Sequence, residues 1–157
     1  MVDVKELIEY NHEVRRRYFT ALAKLPWEEF VKNREASWHS LRDIFIHTLH
    51  AVDFWMDFLR KEHLRAGRDF DDYKTMDDVR AYLEHVEERT RRYLDSLTPD
   101  VLITEYMVTN DAGETIKVTS EDVLIHVFEE EVHHRGELIA LLWQMDIEPP
   151  LMGWKFL

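Results

Sequence analysis

Apolar residues recur every three or four positions in four segments of the chain, and this spacing predicts four amphipathic helices. The predicted helices span residues 3–24, 40–63, 75–97 and 119–145. Pro26 ends the first helix and Pro99 follows the third, because proline has no backbone N–H to continue the helical hydrogen bonds. Ser40 and Thr119 are suitable N-caps for the second and fourth helices.

The segment before the fourth helix has a different period. Residues 102–109 and 114–118 alternate between apolar and polar side chains and are rich in Val, Ile, Thr and Tyr. They flank the turn-forming run 110–113, in which Gly113 supplies the left-handed backbone position that a hairpin turn requires. The pattern therefore predicts a β-hairpin before the last helix.

The remaining segments are connections. Residues 26–39 contain aromatic side chains that we expect to pack back onto the helices, and 64–74 form a polar loop with Gly67. The tail 149–157 is apolar, and we expect it to dock on the helices. The fold class is therefore all-α. We predict a four-helix bundle with a long crossover and a small β-hairpin before the last helix, in one domain over 1–157.

Composition narrows the functional classes. The net charge of −12 opposes binding to nucleic acid, which needs clustered Lys and Arg. The chain contains no cysteine, so any metal must be held by His, Asp or Glu, and any thiol must arrive with a substrate. No long apolar run predicts a membrane span, and the N-terminus lacks a secretory pattern, so we expect a cytoplasmic protein.

Two ionisable residues interrupt the apolar stripe of the fourth predicted helix. That stripe consists of Val123, Val127, Glu130, His134, Leu138, Leu141 and Met145. A carboxylate or imidazole buried without partners costs several kcal/mol, so a compensating group is required. Because Glu130 and His134 are separated by four positions, their side chains lie on the same face of the helix.

His47 interrupts the inward half of the second predicted helix in the same way. Two His and one carboxylate are suitable ligands for Zn²⁺, Ni²⁺, Fe²⁺ or Mn²⁺, with a coordination position left for substrate. We therefore predict a divalent metal site formed by His47, Glu130 and His134. The alternative is a buried hydrogen bond between Glu130 and His134, with His47 satisfied separately.

Neighbouring residues are candidates for supporting roles. His126 precedes Glu130 by one turn, where it is placed to orient the carboxylate. His133 lies on the polar flank of the helix, and we expect Arg135 at the surface; both are candidates for substrate contact. Gly136 is unfavourable inside a helix, which predicts that a neighbouring group approaches closely there.

The run His133-His134-Arg135-Gly136-Glu137-Leu138 resembles the H-H-R-G-Q signature of the DinB/YfiT-like family. The run from Leu41 to His47, followed by Trp55, resembles that family's first ligand helix. Tyr10-Asn11, the N-D-A-G-E hairpin and the Pro-Pro tail also agree, so the resemblance covers essentially the whole chain.

This resemblance implies a bundle, often dimeric, that holds a divalent metal with three histidines. His47 and His134 correspond to the first and last of these ligands, whereas Glu130 stands where the family usually has His. The implied activity is that of a metal-dependent hydrolase or a transferase of low-molecular-weight thiols, related to bacillithiol S-transferases, acting on a small molecule as a homodimer. A non-catalytic dimeric scaffold that binds a metal or small ligand is the alternative.

Overall fold

Four long helices form the body of the protein in a computed structural model that describes residues 3–62, 64, 68–109 and 112–154. The helices are α1 (Val4–Leu22), α2 (Trp27–Val31), α3 (Leu41–Leu59), α4 (Met76–Asp95), α5 (Pro99–Leu102) and α6 (Ser120–Gln144). The four long ones, α1, α3, α4 and α6, correspond to the four that the sequence pattern predicts. The fold class is therefore confirmed.

Side-chain caps define where the long helices begin. The Ser40 hydroxyl accepts a hydrogen bond from the backbone N–H of Asp43 at the beginning of α3. Thr119 and Asp122 form a reciprocal capping box at the beginning of α6, with the Thr119 backbone N–H donating to the Asp122 carboxylate at 2.8 Å. These bonds satisfy backbone N–H groups that have no partner within the helix.

Contacts between side chains give the direction of the helices. On α3, His50 contacts Tyr82 of α4, and His47 contacts His134 of α6. Further along α3, Asp57 pairs with Arg89 of α4. Residue numbers therefore rise together along α3 and α4, which run parallel. Between α3 and α6 the order is reversed, because Trp55 contacts His126 whereas His47 contacts His134.

The predicted hairpin is present, although it begins later than the pattern indicated. Strands β1 (Glu105–Thr109) and β2 (Thr115–Thr119) pair antiparallel. Residues 99–102 instead form α5, because Pro99 is favourable in the first turn of a helix and Thr98 caps it. Gly113 has a φ of +79°, as its predicted place in the turn requires.

The connections also differ in detail from the predictions. Part of the connector 26–39 is helical, as α2, and a 3₁₀ turn covers Phe70–Asp72 in the predicted loop. The described part of the tail, residues 149–154, docks as expected: the Tyr18 hydroxyl donates to the Pro150 carbonyl at 3.3 Å. His63, Gly67, the turn residues 110–111 and the ends 1–2 and 155–157 lie outside the described residues.

Candidate metal centre

His47, Glu130 and His134 lie together in the groove between α3 and α6. Each offers a nitrogen or oxygen atom, and these three atoms lie within 4.8 Å of one another. The imidazole rings of His47 and His134 are nearly perpendicular, with centroids 4.6 Å apart. His134 is buried, whereas His47 and Glu130 are half-buried, so the cluster remains reachable from solvent.

A carboxylate behind His134 fixes the orientation of its ring. His134 Nδ1 lies 2.8 Å from a Glu137 carboxylate oxygen, and the Ser37 hydroxyl donates to the other Glu137 oxygen at 2.6 Å. A proton on Nδ1 donated to Glu137 leaves the lone pair on Nε2, which faces Glu130 at 3.5 Å. Burial opposes ionisation of Glu137, but the hydrogen bonds from His134 and Ser37 lower its pKa.

His47 is held by an aromatic side chain from the connector. The Trp38 ring stacks on the His47 imidazole, with centroids 3.9 Å apart and an interplanar angle of 18°. Burial, together with the nearby His134, lowers the pKa of His47 to about 4. Its imidazole is therefore neutral at pH 7 and has a lone pair available.

The donor set fits a divalent cation in both chemistry and spacing. Two atoms that each lie about 2.1 Å from one ion are at most about 4.2 Å apart. The Glu130–His134 separation of 3.5 Å satisfies this limit. All three donor atoms lie within 4.8 Å of one another, so a small side-chain rotation suffices for any pair that exceeds the limit of about 4.2 Å. Glu130 is free to make such a rotation, because 30% of its side chain is exposed.

A second group in the described part of the chain also has ligand spacing. It consists of His133, His134 and Glu137 on α6 alone. His133 is exposed, and its ring stacks on that of His134 with centroids 4.7 Å apart. Glu137 already accepts a hydrogen bond from the Ser37 hydroxyl and lies at hydrogen-bonding distance from His134 Nδ1. This second group is therefore better explained as one that fixes the orientation of the His134 ring.

Arg135 is not at the surface, and that prediction was wrong. Its side chain is buried against α1, where it donates to the Asn11 side-chain oxygen at 2.7 Å and lies over the Tyr10 ring. Next to it, the buried Glu131 accepts two hydrogen bonds from the Arg15 guanidinium. The apolar stripe of α6 does not reveal Glu131, although the polar pair that Asn11 and Arg15 form on α1 is a signal for it.

His126 is directed towards an aromatic side chain. Its ring packs edge to face against Trp55, with centroids 5.2 Å apart, and it lines a pocket under the hairpin. Gly136 is exposed, and a methyl group added there would meet no atom of a neighbouring element within 4 Å. The close approach predicted at Gly136 is therefore absent among the described residues.

These features define a class of protein: a helical bundle whose second and last long helices bring two histidines and a carboxylate together at a partly exposed site. The sequence model of the DinB family matches residues 1–155. The chain belongs to the DinB family, as its histidine signature predicts.

Two similar proteins come from Bacillus subtilis. The uncharacterized protein YizA of strain 168 is 23% identical over 145 residues, which cover 92% of this chain and 89% of YizA. The crystal structure of the DinB-like protein YjoA superposes with a TM-score of 0.69 at 20% identity, covering 96% of this chain and 99% of YjoA. This structural likeness establishes the shared fold. Among the described residues, no helix has the length and apolar character needed to cross a membrane.

Proposed function

We propose that His47, Glu130 and His134 bind one divalent metal ion (Zn²⁺, Ni²⁺, Fe²⁺ or Mn²⁺) and that the protein is a metal-dependent enzyme. The proposal rests on one observation: donor atoms from two separate helices lie within 4.8 Å of one another, and two of the three side chains are only half-buried. Membership of the DinB family supports it, since the resemblance implies a metal at the corresponding positions. The proposed activity is hydrolysis or transfer of a low-molecular-weight thiol.

The side chains have separate roles in this proposal. A bound divalent ion supplies Lewis acidity, which activates a water or a thiol near neutral pH. Glu137 holds the His134 ring with Nε2 towards the groove, and Trp38 limits rotation of His47. In the thiol reaction, the sulfur displaces a leaving group such as chloride from carbon, and the thiol proton passes to solvent. Because the chain has no cysteine, no internal thiol competes.

Metal analysis of the purified protein tests the site. We expect about one equivalent of transition metal in the wild type after expression in supplemented medium, and less than about a tenth in His134→Ala. His133→Ala is the matched control, because this exposed neighbour should leave uptake unchanged. Loss of metal in His133→Ala with retention in His47→Ala would assign the metal to the group on α6 alone.

Activity is tested with the metal-loaded protein. Monochlorobimane with glutathione, cysteine or bacillithiol reports thiol transfer by fluorescence, and p-nitrophenyl esters report hydrolysis. We expect turnover that His134→Ala abolishes and that Glu129→Ala, at an exposed position of the same helix, retains. Turnover that is equal in the wild type and His134→Ala contradicts the assigned chemistry. A protein that binds metal without any turnover supports the second candidate, a metal- or ligand-binding scaffold.

The second candidate, a dimeric scaffold, requires a homodimer interface. The exposed apolar face of α6 is suitable for one. Its outward face exposes Ile125, Val132 and Trp143, which are separated by 7 and 11 residues and so lie in one stripe. We propose that a second copy covers this stripe. Light scattering should give twice the chain mass for the wild type and a monomer for Val132→Lys; a monomeric wild type contradicts the dimer. The cytoplasmic location stays a prediction.

A further inference from the structure

A pocket of about 340 Å³ lies between α3, α6 and the hairpin. Its walls are mainly apolar and aromatic, and they include Trp55, Val108, Ile116, Val118, Val123 and His126. The volume is at the lower end of the range for small-molecule sites, which are concave and mostly apolar with few polar groups. The pocket can therefore hold part of a small molecule.

The polar groups of the pocket are few. Asp122 is at its edge, but its carboxylate accepts hydrogen bonds from the Thr119 backbone N–H at 2.8 Å and from the Thr119 hydroxyl at 2.7 Å. His126 is half-buried, with its ring against Trp55. An anionic group in this pocket would lose hydration and lie beside the Asp122 carboxylate, whereas an apolar group would be removed from water.

Residues of α3 and α6 form parts of both the pocket and the candidate metal centre. Trp55 of α3 contacts His126 of α6, as His47 contacts His134. The two contacts are eight residues apart on each helix, which is about 12 Å along the helix axis. Glu130 is closer, one turn or about 6 Å from His126. Ala51 lies at the intermediate level of α3, one turn from both His47 and Trp55, and its side chain is a single methyl group.

We propose that this pocket binds an uncharged apolar or aromatic group of the substrate while the reacting end lies at His47, Glu130 and His134. The assignment of the reacting end rests on the proposed function; the binding of an apolar group in the pocket does not. The substrate class is therefore a small molecule with an apolar or aromatic part about one to two helical turns, roughly 6–12 Å, from its reactive atom.

Binding of the neutral fluorescent probe N-phenyl-1-naphthylamine to chelator-treated protein tests the pocket. We expect saturable binding to the wild type and a dissociation constant at least about tenfold higher for Ile116→Lys, which places a charge in the apolar wall. Met107→Lys is the matched control. Val108 pairs with Ile116 on the pocket face, whereas Met107 pairs with Lys117 on the opposite face and is 62% exposed. This control should bind within about twofold of the wild type.

The outcomes separate this inference from the metal proposal. The proposed apolar site is overturned if the probe does not bind saturably to the wild type. It is also overturned if the wild type and Ile116→Lys bind the probe with equal dissociation constants. His134→Ala should bind the probe as the wild type does, because it lies outside the pocket, and Ile116→Lys should take up metal normally. Probe binding without metal uptake retains the apolar site and removes the metal chemistry. Metal uptake without probe binding retains the metal centre and removes the apolar site.

Discussion

Replacing Glu131 by alanine should destabilise the protein strongly, because it breaks a buried ion pair between α1 and α6. The side chains of Arg15 and Glu131 are 3% and 2% exposed. Arg15 donates two parallel hydrogen bonds to the carboxylate, of which Nε to Oε2 measures 2.9 Å. Glu131→Ala leaves the Arg15 guanidinium buried without this partner, and the buried Arg135 also lies on the α1 side of the helix.

The magnitude follows from the burial of both charges. Removing one partner of a buried pair costs about 3–5 kcal/mol, since the remaining charge is left desolvated. A protein of this size has a free energy of unfolding of about 5–15 kcal/mol. With roughly 2–4 °C of melting temperature per kcal/mol, Glu131→Ala should lower the midpoint by about 6–20 °C.

Urea denaturation of matched variants measures this cost. Glu129→Ala is the control, because this exposed neighbour should change the free energy of unfolding by less than about 0.5 kcal/mol. Adding Arg15→Met to Glu131→Ala removes the uncompensated charge, so the double variant should be more stable than Glu131→Ala alone. A cost below about 1 kcal/mol for Glu131→Ala, or a double variant that is still less stable, would refute the reasoning.

Three further predictions concern other positions. Burial and nearby arginines lower the pKa of His12 to about 2, so below its ordinary pKa of 6.5 only the unfolded chain gains a proton there. Stability should therefore fall by up to about 1.4 kcal/mol per pH unit below pH 6.5, and His12→Gln should reduce this slope in urea titrations. Gly136→Ala should raise the free energy of unfolding by about 1 kcal/mol in urea denaturation; a decrease would show that a second copy packs there. Glu137→Ala should weaken metal binding about 10–100-fold in competition titrations, and unchanged affinity would remove its orienting role.

The sequence pattern predicted the four long helices because each must bury one apolar face. It also predicted that His47 and His134 lie on inward faces, and they are in contact. Glu131 was missed because α6 packs against two helices and its buried face is wider than one stripe. Glu130 and His134 lie on the α3 side of α6, whereas Glu131 and Arg135 lie on the α1 side.

The supporting contacts of the candidate site could not be derived in the same way. Ser37 and Glu137 are 100 positions apart, and Trp38 reaches His47 from a connector without periodicity. These contacts depend on the path of the connector 26–39 past α3 and α6. The apolar pattern within one helix does not encode that path. Glu35, two positions before Ser37, has a φ of +59°, a local conformation that apolar spacing does not reveal.

Glu130 and Glu131 are adjacent carboxylates on α6 with opposite surroundings. Glu131 is buried and neutralised by a guanidinium at hydrogen-bonding distance, as a stabilising pair requires. Glu130 is 30% exposed in its side chain and lies 3.5 Å from His134, a separation longer than a strong hydrogen bond. In the metal-free protein, Glu130→Ala should therefore change the free energy of unfolding by less than about 1 kcal/mol, yet metal uptake should be lost. If Glu130→Ala were as destabilising as Glu131→Ala under urea denaturation, the cluster would be a structural pair of Glu130 and His134 rather than a metal site.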